Sequence, residues 1–192
     1  MKLIAITGGI GSGKSVVARI VSEMGYHVYD CDSRAKALMT DDARVREQLI
    51  DMFGRETYLA DGSLNRQHLS QVAFNDKSAL ERLNGIVHPA TSRDMQCWAD
   101  GQAEKGAALA FVETALLRTA GLDQVVDEVW HVTAPVPVRI ERVMTRSGLT
   151  EQQVRSRISA QAAEDALADG EHVIVNDGLM AVLPQVIHLI NQ

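Results

Sequence analysis

The chain opens on a short unbroken apolar run, Leu3-Ile4-Ala5-Ile6. A cluster of glycines follows, then Val16, Val17, Ile20, Val21 and Met24 at helical spacing. A continuous apolar run suits a strand covered on both faces, as in a parallel sheet, and the spacing after it suits one buried helix face. Strand, glycine turn and helix are therefore predicted in that order, with Gly25 placed to close the helix. His27 to Asp30 reads as a second strand, and 108–112, 129–133 and 173–175 as three more. Val138, Ile140, Val143 and Met144 mark one late helix, and Val182, Leu183, Val186, Ile187 and Ile190 another. Strands alternating with helices predict a parallel α/β sheet.

Residues 33–102 break that rhythm. Val45, Leu49, Ile50 and Phe53 form one helical stripe closed by Gly54, and Leu69, Val72 and Ala73 another. No strand pattern intervenes, so this stretch reads as a helical insertion between the second and third strands. Pro89 is expected to end one helix or start the next, because it lacks an N–H. Residues 140–166, rich in arginine and glutamine, form a second distinct segment. Within it Thr150-Glu151-Gln152-Gln153 has the capping-box pattern, with a helix starting at Glu151. Met24, Met144 and the aliphatic stripes are assigned to the core.

Composition narrows the function classes. At 192 residues with 46% hydrophobic content, the chain can bury a core without disulfides or metals. A formal net charge of −6 argues against a broad nucleic-acid surface, yet a few arginines in a pocket can still bind phosphate. No apolar stretch approaches a membrane span, and two cysteines, Cys31 and Cys97, make neither a disulfide framework nor a metal site. Reduced cysteines fit a cytoplasmic location. No pattern forces an oligomer, so a monomer is expected with an oligomer left open.

The glycine cluster carries the chemistry. Gly8-Gly9-Ile10-Gly11-Ser12-Gly13-Lys14-Ser15 matches G-x-x-x-x-G-K-[ST] without a gap, between the first strand and the first helix. Glycines let backbone N–H groups curl around a phosphate, and the helix N-terminus points its dipole at the same anion. Lys14 would reach the terminal phosphates and the Ser15 hydroxyl would ligate Mg²⁺. The expectation is a phosphate-loop kinase using ATP and Mg²⁺.

Other candidates are less specific. Asp32, after the second strand, either accepts or orients the proton of an attacking hydroxyl, or caps a turn or helix. Glu113 closes the third strand, either touching Mg²⁺ through water or standing as an exposed carboxylate. Arg139, Arg142 and Arg146 share one helix. Arg142 and Arg146, four apart, either face the transferred group or form a solvated basic face. Gly148 suits a hinge or a cap of a closing lid. His27, His131 and His172 fall in or beside strands and read as structural. Trp98 packs in the insertion or covers a substrate ring.

Taken in order, these residues resemble the dephospho-coenzyme A kinase family. The resemblance rests on Thr7 to Ser15, on Asp30-Cys31-Asp32, and on Leu64-Asn65-Arg66 followed by Leu69. It continues through His88-Pro89, Arg139 to Arg146 with Gln161, and Ile174-Val175-Asn176, covering nearly the whole chain. It implies a five-stranded parallel sheet of the phosphate-loop type, a helical acceptor-binding lobe and a small helical lid. The nucleotide-binding core would be 1–32, 103–139 and 167–192, the lobe 33–102 and the lid 140–166. The implied reaction moves the ATP γ-phosphate to the ribose 3′-hydroxyl of dephospho-coenzyme A. Asp32, Lys14 and Arg142 would be catalytic. Gly9, Gly11, Ser12, Gly13, Lys14, Ser15, Val16, Arg142, Arg146 and Asn176 would bind ATP. Thr7, Asp32, Arg66, His88 and Glu113 would lie on the acceptor side.

The chain departs from the family pattern in places. Ala115-Leu116-Leu117-Arg118-Thr119 stands where the family often has Pro-Leu-Leu-Phe-Glu, so Thr119 lacks that carboxylate. Val16 and Cys31 also differ from the usual hydroxyl residue and alanine. Rival readings are a kinase for another nucleoside, nucleotide or small alcohol, a GTP switch, and a non-catalytic nucleotide-binding module. The switch lacks its Asn-Lys-x-Asp element, and intact Lys14, Ser15 and Asp32 oppose the module.

Overall fold

A computed structural model describes residues 1–73 and 76–192. Five strands make one parallel sheet: β1 (Lys2–Thr7), β2 (His27–Asp30), β3 (Leu109–Glu113), β4 (Glu128–Thr133) and β5 (His172–Val175). Their order is β2-β3-β1-β4-β5. The central β1 is buried from Leu3 onward, as its unbroken apolar run requires. The expected α/β class and five-stranded parallel sheet are thus present.

The chain divides into two compact units, one of residues Met1–Asp30 and Ala99–Gln192, the other of Cys31–Trp98. In the first, helix α1 (Lys14–Glu23) buries Val17, Ala18 and Val21 against Ile4, Ile6, Phe111, Trp130, Val132 and Ile174 of the sheet. Phe111 and Trp130 stack tilted with centroids 5.1 Å apart, a contact that adds about 0.5–1.5 kcal/mol beyond the area it buries.

The second unit holds α2 (Cys31–Asp41), α3 (Ala43–Phe53), α4 (Arg66–Ala73) and most of α5 (Lys77–Glu104). Leu38, Val45, Leu49, Phe53, Leu69, Ala79 and Ala90 form its core. Asp42 caps α3 by accepting from the Arg44 and Val45 amides. Arg46 stacks over the Tyr58 ring at 4.0 Å.

The expected break at Pro89 does not occur, and α5 runs through it. One backbone hydrogen bond is lost there. Val87, Ala90, Thr91 and Met95 are buried on both sides of the proline, and that packing outweighs the missing bond.

The later part of the first unit carries α6 (Val136–Ser147), α7 (Glu151–Ala160), the short α8 (Ala162–Asp165) and α9 (Val182–Ile190). The Thr150 capping box forms as the sequence predicts. Ile140 and Val143 of α6 meet Val154 of α7 in a small core of their own. Two methionines assigned to the core are instead 40% and 38% exposed. Met24 is the C-cap of α1, where the chain turns away. Met144 follows buried Val143 and so points about 100° round the helix from it. Among the described residues no helix is long and apolar enough to cross a membrane.

Candidate active site

The glycine loop spans the end of β1 and the start of α1. Gly13 is the helix N-cap in the left-handed region, at φ 98°, and an added Cβ would stand 2.0 Å from Asn176 Nδ2. Glycine is therefore required there twice over, by conformation and by space. Lys14 folds back so that its Nζ donates to the Gly8 carbonyl at 2.8 Å. The Ser12 amide donates to the Gly9 carbonyl at 3.1 Å. The amides of Gly11, Gly13 and Ser15 take no acceptor among the described residues. Thr7 Oγ1 and Ser12 Oγ are buried with no hydrogen-bond partner. Uncommitted donors gathered at a helix N-terminus, beside a lysine, fit an anion such as a phosphate chain.

Two of the predicted arginines have different settings. Arg142, half-buried, donates to the Asn176 carbonyl at 2.9 Å and to its side-chain oxygen at 3.3 Å. Asn176 Nδ2 donates in turn to the Ser12 carbonyl at 2.9 Å. The structure thus brings Arg142, Asn176 and the phosphate loop together. Arg146 is exposed in the last turn of α6.

Glu113 and Thr7 lie at the carboxyl ends of β3 and β1, where ligands gather in parallel sheets. Glu113 is in register with Asp30 of β2 and Ile6 of β1. In the other unit, Asp32 is exposed in the first turn of α2, and Arg66 opens α4, also exposed. His88 is half-buried within α5. Val16 is 47% exposed on α1.

Sequence reasoning missed a cluster of charged groups beneath the loop. Buried Arg139 pairs with Asp165 and donates through Nε to the Ile10 carbonyl at 2.9 Å. Asp165 Oδ1 accepts from the Gly9 amide, and Gln161 Oε1 from the Ile10 amide, each at 2.8 Å. His131 lies buried in β4. Its Nδ1 donates to Glu171 at 3.1 Å and its Nε2 lies 3.8 Å from Asp165. Where the family pattern is departed from, Arg118 donates to Glu171 at 2.5 Å. Buried Glu164 accepts from the Arg118 and Thr119 amides. The family resemblance had marked Arg139 and Gln161 without giving their partners, and the four-residue spacing of Gln161 and Asp165 was the further signal.

The family model described as dephospho-CoA kinase matches residues 2–181. The chain belongs to the dephospho-CoA kinase family. It is 38% identical to the dephospho-CoA kinase of Porphyromonas gingivalis over 192 residues, covering 99% of this chain and 93% of that one. It is equally 38% identical to that of Salinibacter ruber, over 94% of this chain and 91% of the relative. A solved structure from Thermus thermophilus superposes with a TM-score of 0.81 at 30% identity, covering 99% and 96% of the two chains. The dephospho-CoA kinase structure from Campylobacter jejuni shares the fold, with a TM-score of 0.73 at 22% identity over 100% and 96%. The chain is a phosphotransferase with dephospho-CoA kinase activity, the final step of coenzyme A biosynthesis.

Proposed function

We propose that the Gly8–Ser15 loop seats the ATP phosphates and that the γ-phosphate passes to the ribose 3′-hydroxyl of dephospho-CoA. The observation that carries this reading is the set of uncommitted amides at Gly11, Gly13 and Ser15, beside Lys14, in a chain of this family. Lys14 leaves the Gly8 carbonyl for the terminal phosphates and offsets charge there. Mg²⁺ would be held by the Ser15 hydroxyl and the nucleotide's own phosphate oxygens, where it would neutralise charge developing between the phosphates. Arg142, bound to Asn176 beside the loop, adds positive charge on the nucleotide side, with Arg146 following on the same helix. Asn176 lies near the adenine, and Val16 and the loop glycines complete the ATP contacts.

Asp32 takes or orients the proton of the 3′-hydroxyl, and Thr7, Arg66, His88 and Glu113 serve the acceptor. Residues 33–102 act as the acceptor lobe and 140–166 as the lid. The working form is a cytoplasmic monomer.

The test is mass spectrometry of the products when ATP, Mg²⁺ and a panel of acceptors are supplied. Dephospho-CoA should gain one phosphate in a Mg²⁺-dependent way, and Lys14→Ala should abolish it. Full turnover in that variant, or preference for a plain nucleoside, would overturn the reading.

A further inference from the structure

The first half of the phosphate loop is held from one side by three side chains. Asp165 accepts from the Gly9 amide, Gln161 accepts from the Ile10 amide, and Arg139 donates to the Ile10 carbonyl. Arg139 and Asp165 are themselves ion-paired. All three come from the stretch between the start of α6 and the end of α8, 129 to 156 residues along the chain from the loop they grip.

The loop sequence is shaped for this grip. A Cβ on Gly9 would stand 2.1 Å from Arg139 Nη2 and 2.6 Å from Asp165 Oδ1. One on Gly11 would stand 2.7 Å from the Arg139 carbonyl. Glycine at both positions lets α6 and Asp165 reach the backbone.

These contacts decide which amides remain for a phosphate. The Gly9 and Ile10 amides are spent on side chains and the Ser12 amide on the Gly9 carbonyl, while those of Gly11, Gly13 and Ser15 stay uncommitted. The three contacts fall on successive peptides, through the Gly9 N–H, the Ile10 N–H and the Ile10 C=O, and the last of these shares its rigid plane with the Gly11 amide, so holding it also sets where that amide points. Donors aimed before the substrate arrives need no reorganisation during reaction.

We infer that Gln161, Asp165 and Arg139 are positioning residues for phosphoryl transfer, clamping the backbone on either side of Gly9 and Ile10 so that the later loop amides converge on the nucleotide phosphates. This rests on the loop being the ATP phosphate site. Asp165 puts a carboxylate directly beneath an anion site, and Arg139 neutralises it. The clamp therefore serves electrostatics as well as shape.

Gln161 offers the clearest test, because it is half-buried and its side chain makes one hydrogen bond among the described residues, to the loop. Steady-state kinetics and ADP titration would compare the parent with Gln161→Met, which keeps the length but has no comparable acceptor, and Gln161→Glu, which keeps the acceptor. Gln161→Met should raise the KM for ATP and the Kd for ADP about tenfold, the worth of one such bond. The KM for dephospho-CoA should hold and the melt should stay cooperative. Gln161→Glu should recover only part of that loss, because it restores the acceptor but adds a negative charge beside the phosphate site. Arg139→Gln should weaken ATP binding more, and adding Asp165→Asn should restore part of it by removing the unpaired charge. Parent-like ATP parameters in Gln161→Met, or equal loss for both substrates, would overturn the clamp. Lys14→Ala run alongside separates the two failures: if it is inactive while Gln161→Met behaves as the parent, only the clamp falls. If Lys14→Ala is fully active, the loop reading falls and the clamp with it.

Discussion

Arg142 grips Asn176 from both ends of its guanidinium, at 2.9 Å to the main-chain carbonyl and 3.3 Å to the side-chain oxygen. The same asparagine passes the contact on to the Ser12 carbonyl at 2.9 Å. An arginine of α6, the residue after β5 and the phosphate loop thus share one hydrogen-bonded web.

Asn176→Ala should cut that web at its centre. It removes the donor to Ser12 and one acceptor of Arg142, each worth about 1 kcal/mol, so nucleotide affinity should fall about tenfold or more. Calorimetric titration of ADP measures it. Because Nδ2 also fills the space beside Gly13, the loss should appear in nucleotide binding before it appears in the dephospho-CoA KM. Unchanged ADP affinity would show that Asn176 neither shapes nor touches the nucleotide site.

Asp32→Asn separates binding from chemistry. Asp32 is exposed in the first turn of α2, with Arg34 of the same helix tied to Asp94 at 2.8 Å, so the substitution should leave the fold intact. A general base contributes about 10²–10⁴-fold, and turnover should fall in that range with ATP affinity held. Parent-like turnover would remove Asp32 from the chemistry.

The strand, glycine turn and helix around Gly8 to Ser15 were legible in the sequence, because Gly8, Gly11 and Gly13 take a positive φ that glycine adopts without penalty. The strands were legible from apolar runs such as Leu3 to Ile6, but their order was not, since period and composition say nothing about which strands become neighbours. Pro89 misled because a local rule competes with burial of Val87, Ala90 and Met95, which only tertiary packing reveals. The contacts of Arg139, Asp165 and Gln161 with the loop were hidden for the opposite reason. Arg139 and Gln161 stood out only through the family resemblance, and what they and Asp165 touch shows only when they come to lie against Gly9 and Ile10.

The start of β4 should make stability sensitive to acid. Burial would raise the Glu128 carboxyl pKa, but hydrogen bonds from Lys2 and Trp130 and the charges of Lys2 and His172 outweigh it and hold the group below its ordinary 4.5. Trp130 Nε1 donates at 2.6 Å, and His172 Nε2 lies 3.4 Å away. A carboxylate whose pKa is lowered by folding adds stability that is fully present above its unfolded pKa. That stability is lost as pH falls through the folded pKa. Glu128→Gln keeps an acceptor for Trp130 but loses the charge, so it should cost about 1 kcal/mol at neutral pH. The gap between parent and variant should close as the pH drops below about 4. Denaturant midpoints across that range read it directly. A gap that stayed constant down to the acid limit would mean that Glu128 acts through packing rather than through its charge.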